Sequence, residues 1–306
     1  LGLEPDDIRE PTDLRKLPLL SKQDVRQNLD RLFATDIDSK QLNYRPTSGT
    51  TGTPLPVYVS DDNEAIERAL SLRVRLWSGW EAGESRATFG GYPVIPFDCQ
   101  SLPLWRYDWP ERRILFSSYH MTRENIGRYV QKLRSFQPKA LEGYPSYLSF
   151  LARHLERMGV TLPVQAVFTA AETLFPHQRS LIEERFKCPI FDWYGLTERV
   201  ASAGQCEYAD GYHVSAEKTI IEIIKPGGEP ASPGEYGEIV GTNLHEFGFP
   251  LIRYRTGDMS AYRPEPCPCG RKLPLIEQIQ TRVDDIITTP DGRLEIGRAS
   301  CRERVC

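Results

Sequence analysis

Four short segments carry hydroxyls, carboxylates and a guanidinium of the kinds that handle phosphate groups. The first is Thr47-Ser48-Gly49-Thr50-Thr51-Gly52-Thr53-Pro54. Its two glycines let the backbone turn tightly against a ligand, and its hydroxyls can hydrogen-bond phosphate oxygens. It lacks the Gly-Lys-Ser/Thr ending of a P-loop, and a flexible linker is the competing reading. The second, Phe191 to Glu198, runs from an apolar strand through Gly195 to a hydroxyl and a carboxylate. There the Tyr194 ring can stack on a purine, and Glu198 can hold Mg²⁺ beside phosphates. In the third, Tyr254-Arg255-Thr256-Gly257-Asp258, an Asp after a glycine turn suits ribose hydroxyls; a plain hairpin turn is the alternative. The fourth, Arg282-Val283-Asp284-Asp285, could set a guanidinium on phosphate or ribose, or form a solvated charged loop.

A separate cluster of soft donors is spread through the second half. Cys267-x-Cys269, with Cys206 and His213 upstream, offers the four ligands that structural Zn²⁺ takes. The spacing is shorter than the usual Cys-x₂-Cys, and His213 also reads as a satisfied loop histidine, so both readings stay open. Seven cysteines in all are an odd number, too sparse for a disulfide framework, which points to reduced thiols.

Amphipathic helices and short apolar strands must position these segments, and their alternation predicts an α/β architecture. Ser21 and Asp24 form a capping-box pattern that opens a helix to about Leu32. Ile66, Leu70, Val74 and Trp77 mark one face of a second helix. Thr122 caps a third with Ile126, Val130 and Leu133 inward. Ser146 caps a fourth with Leu148, Leu151, Ala152 and Leu155 inward, closed by Gly159. A strand over Val164 to Thr169, a helix over Pro176 to Phe186 and a strand over Pro189 to Trp193 then make a unit whose strand ends can present a site. From Lys218 the pattern is mostly strand, over Thr219 to Ile224, Gly237 to Thr242 and Leu251 to Tyr254.

Composition narrows the partners. A net charge of -4 over 306 residues gives no basic field for nucleic acid, and no apolar run reaches the ~20 residues of a membrane helix. The expectation is a cytoplasmic protein acting on a small molecule, without nucleic acid or membrane insertion; a homodimer is left open.

Taken together and in order, the four segments resemble the adenylate-forming (acyl-CoA synthetase-like) superfamily, in the branch of phenylacetate-CoA ligase and the CapK-like capsular polysaccharide proteins. Leu17-Pro18-Leu19-Leu20-Ser21-Lys22, Glu142-Gly143-Tyr144-Pro145-Ser146, Ala170-Ala171-Glu172 and Pro266-Cys267-Pro268-Cys269-Gly270-Arg271 extend the likeness over roughly Leu17 to Gly292. The resemblance implies layered α/β sheets with a β-rich subdomain: an AMP-binding core over 1–284, α/β from about 17 to 215 and β-rich from about 216 to 284. It implies ATP, Mg²⁺ and coenzyme A. Thr47 to Gly52 become the phosphate loop, Glu198 the Mg²⁺ ligand, and Thr197 a neighbour of the α-phosphate. Ala171, Glu172, Tyr194 and Gly195 take the adenine side, Asp258 the ribose, and Arg282 ribose or phosphate. Tyr144 and Pro145 border the acyl pocket, and the cysteine turn favours the zinc reading.

Two departures stand out. Thr53 replaces the lysine that usually ends the glycine-rich loop. The family's small C-terminal domain, roughly 100 residues with a lysine used in adenylation, is expected to be missing; residues 285–306 read as a hinge remnant and a non-native tail. The implied activity is adenylation of a carboxylate followed by transfer to coenzyme A. The alternatives are nucleotidyl transfer to a non-carboxylate acceptor and a non-catalytic nucleotide-binding protein of surface polysaccharide production. Trp77, Trp80, Trp105 and Trp109 suggest an aromatic pocket or, equally, core packing.

Overall fold

The computed structural model describes residues 2–47, 54–99 and 102–280, and the backbone alone of Ile286–Thr288 and Leu294–Ile296. In chain order the helices are α1 (Lys22–Gln27), α2 (Asp61–Trp77), α3 (Ile126–Phe136), α4 (Pro145–Arg157) and α5 (Pro176–Phe186). The strands begin with β1 (Asn43–Tyr44), β2 (Tyr58–Val59), β3 (Arg86–Phe89), β4 (Trp105–Asp108), β5 (Arg113–Phe116) and β6 (Ala140–Gly143). They continue with β7 (Ala166–Ala170), β8 (Ile190–Gly195), β9 (Ser202–Gly204), β10 (Tyr212–Val214), β11 (Thr219–Ile224) and β12 (Gly237–Asn243). Next come β13 (Tyr254–Ser260), β14 (Tyr262–Arg263) and β15 (Leu275–Ile276). Two compact units result: Leu1–Glu67 with Leu196–Ser202 and Gly211–Cys306, and Arg68–Gly195 with Ala203–Asp210.

In the second unit the strands lie in the order β8-β7-β6-β3-β5-β4. All pair in parallel except β4, which runs antiparallel to β5. Parallel neighbours need crossovers, and α4 and α5 supply them between β6 and β7 and between β7 and β8. Alternation along each strand splits the side chains between two faces. Ala87, Phe89, Leu141, Val167 and Ile190 pack with Val130, Leu133, Leu148, Leu151 and Phe186 in one core. Ala140, Ala166, Phe168 and Phe191 turn the other way, with Val74 and Trp80.

The helix starts differ from the sequence expectation. Thr122 does not cap α3; Asn125 holds the N-cap, and the Thr122 carbonyl accepts the Ile126 N–H at 3.0 Å. Ser146 is likewise not a cap, because Pro145 already occupies the first turn of α4 and Tyr144 precedes it. The Ser146 N–H and hydroxyl instead both donate to Glu172 at 3.0 Å. Gly159 follows the helix with φ +65, the left-handed closure that its glycine predicts.

In the first unit β11-β12-β13 form an antiparallel sheet, and β15 pairs antiparallel with both β14 and β10. Val25, Leu55, Val57, Val59, Val200, Phe249, Leu251 and Tyr254 make its core. The Leu251–Tyr254 strand is corrected: Arg253 takes φ +53, which breaks extension, so β13 starts at Tyr254. Arg253 also fastens the Leu17–Leu20 segment. Its guanidinium grips Glu222 at 2.9 and 3.0 Å and donates to the Leu17 carbonyl at 2.5 Å, while its own carbonyl accepts the Leu20 N–H.

The Ser21–Asp24 capping box is present, although the α-helix ends at Gln27 and the chain tightens to a 3₁₀ turn at Leu29–Arg31. Ser21 donates to the Asp24 carboxylate from its hydroxyl at 2.5 Å and its N–H at 2.8 Å, holding that carboxyl below its usual range. A depressed native value adds stability above the unfolded value near about 4 that is lost as protonation proceeds below it. The difference in urea midpoint between wild type and Asp24→Asn is therefore expected at pH 7 and should vanish at acid pH; a pH-independent difference would refute this assignment.

Candidate functional site

In the first unit, Thr47 stands at the base of the glycine-rich segment. Its N–H donates to the Leu55 carbonyl at 3.0 Å, and its hydroxyl oxygen accepts the Leu55 N–H at 2.9 Å. Thr47 is thus tied to Leu55 by both its backbone and its side chain, a role its type alone did not reveal. Ser48, Gly49, Thr50, Thr51, Gly52 and Arg282 lie outside the described residues.

Glu198 is buried at 8% exposure, and its Oε1 accepts a hydrogen bond from the Tyr254 hydroxyl at 2.8 Å. Tyr254 is itself fully buried, so this donor is fixed by packing. The turn that presents Thr197 and Glu198 is clamped on its C-terminal side. Arg199 sits at φ +59, its N–H reaches the Leu196 carbonyl, and its own carbonyl accepts from Asn243 Nδ2 at 2.6 Å. A non-glycine residue in the left-handed region is costly and persists only where its surroundings enforce it. Part of that enforcement is ionic: the Arg199 guanidinium lies 3.4 Å from Glu67, whose other oxygen meets the Lys218 ammonium. Lys218 is fully buried, and burial pulls its pKa down while Glu67 opposes that shift. None of this was legible in the sequence, because Glu67 and Lys218 stand 151 residues apart.

Asp258 is a residue of β13, not of a hairpin turn. Gly257 reaches φ +82 where the pairing with β12 slips between Glu238 and Val240, making a bulge inside the strand. Glu238 binds the bulge by accepting the Gly257 N–H at 3.0 Å and Arg255 Nε at 2.8 Å, and the Asp258 N–H donates to Thr256 Oγ1 at 3.1 Å. The half-buried Asp258 is thereby held at a fixed irregularity. Also in this unit, His213, Cys267 and Cys269 place their donor atoms within 4.8 Å of one another, with Cys269 Sγ 3.4 Å from His213 Nε2. Cys206 belongs to the second unit, where it is buried.

In the second unit, Tyr194 and Gly195 end β8, half-buried. Ala171, the first residue past β7, takes φ +70, an outlier for alanine, and Glu172 beside it is tied to Ser146. A cavity of about 200 Å³ opens over the sheet, lined by Val74 and Arg75 of α2, Thr88, Glu142, Tyr144, Phe168, Phe191 and Trp193 among others. Tyr144 lines it; Pro145 is not among its lining residues and is buried in the first turn of α4. Of the four tryptophans considered as pocket residues none is a lining residue: Trp80 is core, Trp109 is 77% exposed, and the ring in the cavity is Trp193. Gly143 is required there, because a Cβ on it would stand 2.7 Å from the Phe89 carbonyl oxygen.

No family model matches the chain. It is 30% identical over 298 residues to the phenylacetate-coenzyme A ligase of Escherichia coli K12, covering 94% of this chain and 65% of that protein. It is 26% identical over 279 residues to Protein CapK of Staphylococcus aureus, covering 90% and 60%. A solved 2-hydroxyisobutyryl-CoA ligase in the postadenylation state matches with a TM-score of 0.74 at 21% identity, over 96% of this chain and 64% of that one. The fold is that of the large N-terminal part of adenylate-forming enzymes. Within that fold the chain is similar in sequence to the phenylacetate-CoA ligases and to CapK. It spans about 60–65% of the length of these curated relatives. Among the described residues, no helix is long and apolar enough to cross a membrane.

Proposed function

We propose that the chain is the nucleotide- and acyl-binding part of an acid–thiol ligase that activates a carboxylate with ATP. The buried Glu198 carboxylate carries this reading, held by Tyr254 on a clamped turn directly after β8, in a chain similar in sequence to the phenylacetate-CoA ligases. A carboxylate on a rigid turn beside a threonine hydroxyl is the hard-oxygen donor set that Mg²⁺ prefers. Bound there, Mg²⁺ supplies charge neutralisation beside the phosphates.

The substrate carboxylate oxygen attacks the α-phosphorus of ATP, the α–β anhydride bond breaks, and pyrophosphate leaves an acyl-adenylate. The thiolate of coenzyme A then attacks the acyl carbon, and AMP departs. Little covalent chemistry falls to the protein, so its residues orient and stabilise. Thr47 to Gly52, Thr197 and Arg282 handle phosphates, Asp258 the ribose hydroxyls, and Ala171, Glu172, Tyr194 and Gly195 the adenine. Tyr144 and the cavity beside it take the acyl group. His213, Cys267 and Cys269 form a soft donor set that suits structural Zn²⁺, which metal analysis of the purified protein would reveal.

Calorimetric titration of the chain with ATP and Mg²⁺, and with AMP, tests the reading, and an absence of heat from both sinks it. Tyr254→Phe removes one hydrogen bond from Glu198 and should weaken Mg²⁺·ATP binding about two- to tenfold while leaving affinity for ATP in EDTA unchanged. An equal loss in both would mean that Tyr254 acts only on the fold.

A further inference from the structure

Three polar side chains from distant parts of the first unit are buried against one another: Asn63 in α2, Asn243 at the end of β12, and Glu246 just beyond it. Glu246 Oε2 accepts the Ser60 N–H at 2.8 Å, the Ser60 hydroxyl at 3.1 Å and Asn63 Nδ2 at 3.0 Å. Glu246 Oε1 accepts the Gly248 N–H at 3.2 Å. Asn63 Oδ1 in turn accepts Asn243 Nδ2 at 3.2 Å, and the same nitrogen donates to the Arg199 carbonyl at 2.6 Å. Asn243 Oδ1 takes the His245 N–H at 2.7 Å, so both ends of this amide are used.

The carboxylate gives the chain its direction. An ionised carboxylate only accepts, so Asn63 turns its NH₂ to Glu246 and its oxygen to Asn243. Asn243 must then present its own NH₂, which reaches the Arg199 carbonyl. Burying two amides and a carboxylate is costly, and a fully satisfied network repays that cost by fixing one geometry. Both ends of the network fall on elements that the proposed reaction uses. At one end, Arg199 at φ +59 directly follows Glu198, and its carbonyl belongs to the turn that presents that carboxylate. At the other, Ser60 directly follows β2, and the paired strands β1 and β2 flank the glycine-rich segment in sequence. Asn43 of β1 and Arg45 just after it also bind the first turn of α2, at Asp61 and Glu64, both at 2.7 Å.

We infer that Asn243 is a positioning residue for the Mg²⁺ site, acting on Glu198 through the Arg199 carbonyl. Through Asn63 and Glu246 it also registers that turn against the strands flanking the phosphate loop. The inference rests on the Mg²⁺·ATP reading above. Its test is calorimetry with ATP, in Mg²⁺ and in EDTA, with urea unfolding of the same samples. Asn243→Asp keeps the size of the side chain and the oxygen for His245, but it sets an acceptor against the Arg199 carbonyl. The gain in ATP affinity that Mg²⁺ gives should fall about two- to tenfold, with affinity in EDTA unchanged. In an Arg199→Gly background the same substitution should lose most of its effect, because glycine takes the left-handed conformation without being held there. Asn63→Ala, which frees the Asn243 amide without adding a charge, should act in the same direction and stands in if Asn243→Asp does not fold. An equal loss in Mg²⁺ and EDTA overturns the inference, and so does an effect of the same size in both backgrounds. A folded variant that matches wild type overturns it too. In each case the adenylation reading stands as long as wild type binds ATP with Mg²⁺; if wild type binds neither ATP nor AMP, both fall.

Discussion

Glu67→Gln is expected to lower the unfolding free energy by about 3–5 kcal/mol, because it leaves the Lys218 ammonium buried and unpaired. Lys218 is fully buried and Glu67 is 7% exposed at the side chain, so water offers neither a substitute partner. Arg199, the third member, is 28% exposed at its side chain and can turn toward solvent. The Glu67→Leu, Lys218→Met double variant removes both buried charges together and should recover most of the loss, since ion pairs of this kind are commonly replaced by apolar residues at little cost. Urea unfolding of the three proteins decides the matter. A single-variant loss under about 1 kcal/mol would place the pair at the surface in effect. The double variant adds a functional readout, because Arg199 then loses its anchor while the fold survives. Mg²⁺·ATP affinity should fall in it although stability is regained.

The contrast between what the sequence disclosed and what it hid follows the range of the interactions. Signals written within one turn were legible: the Ser21–Asp24 box, Pro176 opening α5, and the apolar run of β11, whose limits match expectation. Where a local rule had a rival close by, the nearer geometry won, as when Pro145 displaced Ser146 and Asn125 displaced Thr122 at helix starts. The Asp258 bulge escaped because a slip in pairing depends on the partner strand, here β12, and not on the five residues that look like a turn. The site's supports were least visible of all. Lys218 lies 151 residues from Glu67, and Tyr254 lies 56 from Glu198. Residue type could nominate Glu198; only tertiary structure shows why it is held still.

Glu198→Gln should then abolish the Mg²⁺-dependent part of ATP affinity while sparing the fold. Glutamine keeps the size of the side chain and an oxygen that accepts from Tyr254, so the buried hydrogen bond at 2.8 Å has a replacement. What disappears is the negative charge. A charge-assisted contact contributes about 1.5–3 kcal/mol, equivalent to roughly 10- to 150-fold in affinity. Wild type should bind ATP more tightly with Mg²⁺ than with EDTA by that order, and Glu198→Gln should bind both alike. This pattern separates a metal role from two others. If Glu198 only braced the turn through Tyr254, the variant would match wild type in both conditions. If the carboxylate repelled the nucleotide phosphates without a metal between them, its removal would raise affinity in EDTA and leave the Mg²⁺ gain intact. The placement of Glu198, buried on the turn that follows β8 and next to Thr197, favours the metal role, since burying an unneutralised carboxylate beside phosphate would cost free energy with nothing to offset it.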